Sequence, residues 1–337
     1  MIVTVTMNPA VDKTVKLEEL KRGGLNRIDH AELDAGGKGI NVSKTIHALG
    51  GKSIATGFLG GNAAGYIKDA LADYQIQMDF MELDGETRTN LKIVEPDGLL
   101  TEINEAGPVV EGAQVEQLAK KLDELAGEDT WFVFSGSVPR GISEDIYEKL
   151  IRQVKKKGAK TVLDADGELF RNGIKACPDV IKPNRMELER YFGEPAADDE
   201  ILIGMGRKIL NQGIKLVAIS LGQGGAIFMT DKITYGVPAV EVPVNSAVGA
   251  GDALVAGLVY SMEEGRSFEE AIRVAVATSA GAVMTAGTKP PTRETVRELE
   301  ERVHLFEIST GGCNKYYIKN ATATFSAFTH EPEVVEF

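Results

Sequence analysis

The chain has 337 residues, 43% hydrophobic and 26% charged, and a formal net charge of −13 at pH 7. This is the composition of a globular protein with a full core, and the acidity excludes nucleic-acid binding through a broad basic face while leaving room for local basic pockets. Two distant cysteines, Cys177 and Cys313, and four scattered histidines, His30, His47, His304 and His330, exclude a disulfide framework and a cysteine or histidine metal site. The opening "MIVTVTMNPAVDK" lacks a basic leader, and no later apolar run is long enough to span a bilayer. A cytoplasmic protein with neither membrane nor nucleic-acid partners is expected.

In chain order, short apolar runs predict strands at 2–6, 53–58, 131–135, 161–164, 180–182 and 216–220. Helical periodicity predicts helices at 39–49, 63–73, 113–126, 144–157, 201–212, 252–264, 268–286 and 293–303. This alternation predicts an α/β fold with a mostly parallel sheet covered on both faces, whose ligands bind beyond the carboxyl ends of the strands. Four segments break the rhythm: 12–18, 26–36, 87–95 and 99–107 alternate like half-exposed strands. With "EPDGLL" at 95–100 as a hairpin turn, they predict a small inserted sheet, suited to be a lid, a dimer surface or both. Residues 309–337 change character after "VHLFEI", which reads as a final strand, and are expected to be an appended tail.

Four motifs carry candidate chemistry. In "DAGGKGINVSKTIHALG" (34–50), Gly36, Gly37 and Gly39 surround Lys38, and Asn41 projects from the first turn of a helix. The pattern lacks the third glycine of a dinucleotide fingerprint, and it reads either as a ligand loop or as a glycine hairpin feeding a helix. The nearby "GGKS" (50–53) is not a P-loop, because Ile46 stands where the first glycine is required and the segment leaves a helix to enter a strand.

"IKPNRMELE" (181–189) puts Lys182, Asn184 and Glu187 at a strand's carboxyl end, where Asn184 and Glu187 can share a helical face and hold the waters of Mg²⁺, or simply begin a solvated helix. "SLGQGGAIF" (220–228) turns between two strands through Gly222, Gly224 and Gly225.

The fourth motif, "NSAVGAGDALVAG" (245–257), opens a helix. There the amides of Val248, Gly249, Ala250 and Gly251 can form an anion nest beside Asp252. A carboxylate next to an anion cradle is what phosphoryl transfer to a hydroxyl requires, although an Asp near a helix start also stabilises the helix. Arg88 and Asp12 lie in the inserted strands, where a lone Arg reads first as a surface cation.

The order of these motifs resembles that of the ribokinase-like (PfkB) sugar kinases. "AGGKGINVS" and "NSAVGAGDALVAG" resemble the two family signatures, with "SGSVPRG" (135–141), "KPNRMELE" and "SLGQGGA" between them. "TMNPAVD" and "TEINEAGP" (101–108) are most similar to the branch that phosphorylates ketohexose phosphates.

The resemblance implies one ribokinase-like kinase domain over 1–308, with lid strands within about 12–36 and 87–107. It implies Asp252 as general base, with Gly249, Ala250 and Gly251 as anion hole. Asp12, Gly37, Asn41 and Arg88 would hold the sugar phosphate, with Lys38 neutralising charge. Ser220, Gly222 and Gly225 would border ATP, with Lys182 and Asn184 close by, and Asn184 and Glu187 would organise Mg²⁺ through water. The expected reaction is ATP-dependent phosphorylation of D-fructose 1-phosphate to the 1,6-bisphosphate, with D-tagatose 6-phosphate as the alternative substrate and a non-catalytic sugar-phosphate sensor as a further alternative. A homodimer through the lid sheet is also implied. Asn245-Ser246 departs from the Asp-Thr of many relatives.

Overall fold

The computed structural model describes residues 1–28, 30–96, 99–311 and 315–318. The chain opens with β1 (Ile2–Thr6), crosses to β2 (Ala10–Lys16) and β3 (Ala31–Gly36), and enters α1 (Lys38–Ala48). Next come β4 (Ser53–Gly60), α2 (Gly61–Asp73), β5 (Gln77–Met78), β6 (Met81–Leu83), β7 (Arg88–Val94) and β8 (Leu100–Asn104). The middle of the chain holds α3 (Gly112–Leu125), β9 (Trp131–Ser135), α4 (Ile146–Lys155), β10 (Lys160–Asp164), α5 (Gly167–Gly173), β11 (Val180–Ile181), α6 (Arg185–Phe192), α7 (Asp199–Leu210) and β12 (Leu216–Ser220). It ends with β13 (Ala226–Met229), β14 (Thr234–Val237), α8 (Ala250–Glu263), α9 (Phe268–Val283), α10 (Arg293–Glu300), β15 (Phe306–Gly311) and β16 (Lys315–Ile318).

The main sheet has the order β16-β15-β14-β13-β12-β11-β10-β9-β1-β4-β5, with β6 also pairing β4. From β12 to β5 the neighbours are parallel, and from β12 to β16 they are antiparallel. Buried residues alternate across it, as the period of a strand requires. Val3, Val5, Phe132, Phe134, Leu163 and Ile219 join one core with residues of α3 to α7. Ile2, Trp131, Val133, Val162, Leu216 and Ala218 join another with α1, α8, α9 and α10. Helix α4 shows why these segments cover the sheet: Tyr147, Leu150, Ile151 and Val154 recur at helical spacing on one buried stripe.

The inserted sheet is present, with order β3-β2-β7-β8. Its strand expected over 26–36 begins only at Ala31, and the first strand starts at Ala10 rather than at 12. The β7–β8 hairpin pairs Val94 with Leu100, while its tip at 97–98 lies outside the described residues. Helix α5 was not foreseen, and α6 only through the reading of 184–187 as a helix start. Both are too short to show a period, and their starts are marked instead by the side-chain caps Asp166 and Asn184. The final strand passes the expected boundary at 308, running to Gly311 and pairing with β16. The rest of the expected tail, 312–314 and 319–337, lies outside the described residues.

Candidate active site

The carboxyl ends of β1, β9 and β10 put Thr6, Ser135 and Asp164 side by side. Two glycine-rich turns bring helices to the same edge. Gly37 precedes α1 at φ 111°, and a Cβ there would lie 2.7 Å from Thr6 Cγ2. Only glycine satisfies both the angle and the approach. Gly249 precedes α8 at φ 83°.

Asn41 on α1 donates from Nδ2 to Asp252 Oδ2 at 2.8 Å. Asp252 is buried, and burial, aided by nearby Asp164, pushes its carboxyl up to about 6 against the opposing pull of Lys38. Asp164 sits deeper, with Lys38 Nζ at 2.9 Å and Lys182 Nζ at 3.4 Å from its Oδ1. Burial works against its charged form, but Lys182 and Lys38 outweigh that and hold the carboxyl below the usual range. Burial would lower the Lys38 ammonium, yet Asp164 and Asp252 carry it above the ordinary lysine range. Lys38 is therefore charged, with Asp164, Asp252 and Glu187 all pulling on it.

The anion cradle is narrower than the sequence suggests. Val248 N–H donates to Ser246 Oγ at 3.2 Å, and Ala250 N–H makes a long 3.4 Å contact with Ala247 O. Among the described residues the amides of Gly249, Gly251 and Asp252 find no acceptor, and α8 has no side-chain cap. Those donors open the positive end of a 14-residue helix. A Cβ on Gly251 would lie 3.6 Å from Lys182 Nζ, so the cradle and that cation adjoin. Thr6 Oγ1, Asn8 Oδ1, Asn41 Oδ1, Ser135 Oγ and Asp164 Oδ2 are all buried without a hydrogen-bond partner among the described residues. Such a concentration of orphaned polar atoms is the mark of a site that awaits a polar ligand.

The inserted sheet faces this edge with Asp12, Arg88, Asn90 and Lys92. Arg88 donates from Nε and Nη2 to Asn8 O at 3.2 and 3.1 Å, and from Nη1 to Glu105 O at 3.0 Å. It forms no ion pair among the described residues, so its charge remains available to an anion. Burial lowers its pKa against the pull of Asp12 and Glu105. Lys38 and Arg88 thus keep different partners, and the two cations expected to act together serve different walls of the cleft.

Asp12 is also more engaged than expected: Asn90 Nδ2 donates to Oδ1 at 2.9 Å and Lys92 Nζ to Oδ2 at 2.8 Å. Gly36 is required there, because its Cβ would fall 2.5 Å from that carboxylate.

On the other side, Asn184 bridges to Ser220. Asn184 and Glu187 form a reciprocal capping box on α6, Oδ1 accepting from Glu187 N–H at 2.8 Å and Glu187 Oε2 accepting from Asn184 N–H at 2.9 Å. Among the described residues only Oε2 of the Glu187 carboxylate forms a hydrogen bond, and burial raises its pKa. No group of three or more His, Cys, Asp or Glu among the described residues can hold a metal directly. Asn184 and Glu187 offer oxygen donors of the kind that suit a hydrated divalent cation. Gly222 is open at its Cβ position, but a Cβ on Gly225 (φ 91°) would lie 2.0 Å from Val237 O, so Gly225 serves the turn into β13.

Asp164, Asn90 and Lys92 were missed by sequence reasoning. Asp164 was within reach of the rule that ligands gather at the carboxyl ends of parallel strands. Asn90 and Lys92 carried no signal beyond alternation. A separate cavity of about 390 Å³, lined by Trp131, Lys160, Asp179 and Arg266 among others, lies at the amino ends of β9 to β12 and contains none of these groups.

Residues 3–295 match the model of the pfkB family carbohydrate kinases. The chain belongs to the pfkB family. A 1-phosphofructokinase of Borreliella burgdorferi is 36% identical over 278 residues, which cover 82% of this chain and 90% of that one. A tagatose-6-phosphate kinase of Staphylococcus epidermidis is 32% identical over 314 residues, covering 91% and 100%. Phosphofructokinase-2 of Escherichia coli, solved in complex with substrates and products, superposes with a TM-score of 0.85 at 26% identity, covering 89% of this chain and 98% of that one. The ribokinase-like fold expected from the motifs is therefore present, and the protein is a sugar kinase of this family. No helix among the described residues is long and apolar enough to cross a membrane.

Proposed function

We propose that this pfkB-family chain transfers the γ-phosphoryl of ATP to the 6-hydroxyl of D-fructose 1-phosphate. The observation that carries the reading is Asp252: a buried carboxyl, pushed up to about 6, beside the unpaired amides of Gly249 and Gly251 at the start of α8. A base poised just below neutrality takes a hydroxyl proton efficiently and is mostly ionised at pH 7. As the hydroxyl oxygen forms its bond to γ-phosphorus and the bond to the ADP oxygen breaks, the hydroxyl proton passes to Asp252. The amides of Gly249 and Gly251, with Ala250, stabilise the transferring group's charge.

Asn41 holds Asp252 in place. Lys38 and Lys182, both paired with Asp164, stand on the phosphoryl side. Arg88, with Asp12 and the backbone around Gly37, holds the sugar phosphate from the lid side. Ser220, Gly222 and Asn184 border the nucleotide. Mg²⁺ brought by ATP would neutralise phosphate charge, held through water by Asn184 and Glu187.

The sugar assignment rests on resemblance. A second reading, D-tagatose 6-phosphate, is favoured by the 32% identity to the Staphylococcus epidermidis enzyme. A catalytically silent sensor fits poorly, since binding alone gives no reason to bury an ionisable carboxyl beside an anion cradle. The protein works in the cytoplasm as a homodimer. Leu33, Lys13, Leu91 and Ile103 lie in one row across the inserted sheet, and its exposed leucine and isoleucine, Leu33 and Ile103, each about half exposed, suit a second copy of the lid.

The test is kcat/KM for both sugar phosphates at saturating Mg-ATP. A higher value for fructose 1-phosphate is expected. A higher value for tagatose 6-phosphate overturns the substrate but not the chemistry, and no ADP release with either overturns both.

A further inference from the structure

Lys44 lies on α1 one turn beyond Asn41, and its side chain is almost wholly buried. A buried ammonium is costly unless its charge and its donors are met. Its Nζ donates to Ala35 O of β3 at 2.7 Å and to Thr288 Oγ1 at 3.2 Å. No carboxylate lies within ion-pair distance of it among the described residues. The charged groups that face it come from four elements: Asp34 on β3, Asp12 on β2, Asp252 on α8 and the like-charged Lys92 on β7.

The two acceptors belong to different parts of the site. Ala35 sits in the lid strand that leads into Gly36 and Gly37. Thr288 belongs to the loop between α9 and α10, and that loop touches both walls of the cleft. A Cβ on Gly287 would lie 2.5 Å from Asp34 Oδ2, and a Cβ on Gly249 would lie 3.6 Å from Thr288 Cγ2. The loop is thus wedged between the lid and the anion cradle, and Lys44 is hydrogen-bonded to both the loop and the lid.

We infer that Lys44 is a positioning residue that locks lid strand β3 to the loop backing the Gly249 cradle, so that the sugar anchored by the lid meets the transfer site in register. The inference rests on the proposed kinase chemistry for its kinetic consequences, but not for its structural one. Lys44 is buried behind the site, with Ala35 O and Thr288 Oγ1 as its hydrogen-bond partners. It acts by fixing the distance between two walls and by offsetting the carboxylates of Asp12, Asp34 and Asp252 that those walls bring together. Burial lowers its pKa to about 8 against the pull of those carboxylates, so its charge is lost in mildly alkaline solution.

The experiment compares the wild type with Lys44→Met and Lys44→Arg by hydrogen exchange and by kcat against pH. In Lys44→Met, amides of 31–36 and 285–289 should exchange at least about tenfold faster, with the core of α9 unchanged. Its kcat at pH 7 should fall about tenfold or more, with KM for ATP within about twofold. The acid limb set by Asp252 should move upward, because a cation near that carboxylate is gone. Wild-type kcat should decline several-fold between about pH 8 and 9.5, and Lys44→Arg should keep the plateau. A merely structural lysine would not move the acid limb.

Unchanged exchange in both segments, or an acid limb that stays in place in Lys44→Met, overturns the inference. If Lys44→Met does not fold, a wild-type plateau extending flat to pH 9.5 overturns it instead. If the wild type shows no turnover at all, the kinase proposal falls, and the exchange comparison still decides the role of Lys44.

Discussion

Asn41 Nδ2 donates to Asp252 Oδ2 at 2.8 Å, across 211 positions of sequence. The bond joins the first turn of α1 to the first turn of α8, and so makes two separate glycine motifs into one site. It also favours the charged form of Asp252, working against the burial that pushes this carboxyl up.

That balance sets the acid limb of the reaction. Turnover should need ionised Asp252, so kcat should rise with pH and level off above about 6. A hydrogen bond to a charged group is worth about 1.5–3 kcal/mol, and 1.36 kcal/mol is about one pKa unit. Asn41→Ala should therefore move the limb upward by about one to two units. A pH profile of kcat for the two proteins checks this, and an unmoved limb would remove Asn41 from the role.

The same group makes the site a weak point in the fold. Its folded pKa lies above the ordinary value of 3.8, so its favourable contribution is complete below about pH 4 and is lost as pH rises through about 6. At pH 7 the charged, buried carboxylate therefore opposes folding by up to about 3 kcal/mol. Asp252→Asn should raise the melting temperature at pH 7 by several degrees, and the gain should shrink toward pH 4. Thermal scans at the two pH values measure this, and a gain independent of pH would mean the carboxylate is not the cause.

The sequence exposed what depends on local pattern. The glycines at 36–39 and 249–251 stand out because their turns need positive φ or close approach, and the parallel strands stand out because they are buried on both faces. What it hid was long-range pairing. The resemblance grouped Lys38 with Arg88 on the sugar phosphate, whereas the fold delivers Asp164, 126 residues away, to Lys38. Asn184 and Glu187 were correctly placed on one turn, but their spacing alone could not reveal that each caps the other. Gly225 looked like its neighbour Gly222, and only the approach of Val237 O separates a packing glycine from an open one.

Arg88 rests on carbonyl oxygens alone, so removing it should cost the sugar phosphate and little else. Arg88→Ala should raise KM for the sugar phosphate about 10- to 100-fold, as expected for a charge-assisted contact of 1.5–3 kcal/mol or so. KM for ATP should stay nearly constant. Equal rises in both would assign Arg88 to the lid as a whole.

Gly225→Ala should act on stability rather than on nucleotide affinity. The added Cβ meets backbone at 2.0 Å and the residue sits at φ 91°, which together should cost at least ~2 kcal/mol. Denaturant melts and KM for ATP separate the effects. An unchanged melt with a raised KM for ATP would return this glycine to the nucleotide site.

The most direct measurement of the central claim is kcat of Asp252→Asn at saturating Mg-ATP and sugar phosphate, with nucleotide affinity measured on the same sample. If Asp252 takes the hydroxyl proton, kcat should fall by roughly 10²–10⁴ while nucleotide affinity stays within a few-fold of wild type. A variant that binds nucleotide normally and keeps more than about half of the wild-type kcat would contradict the account.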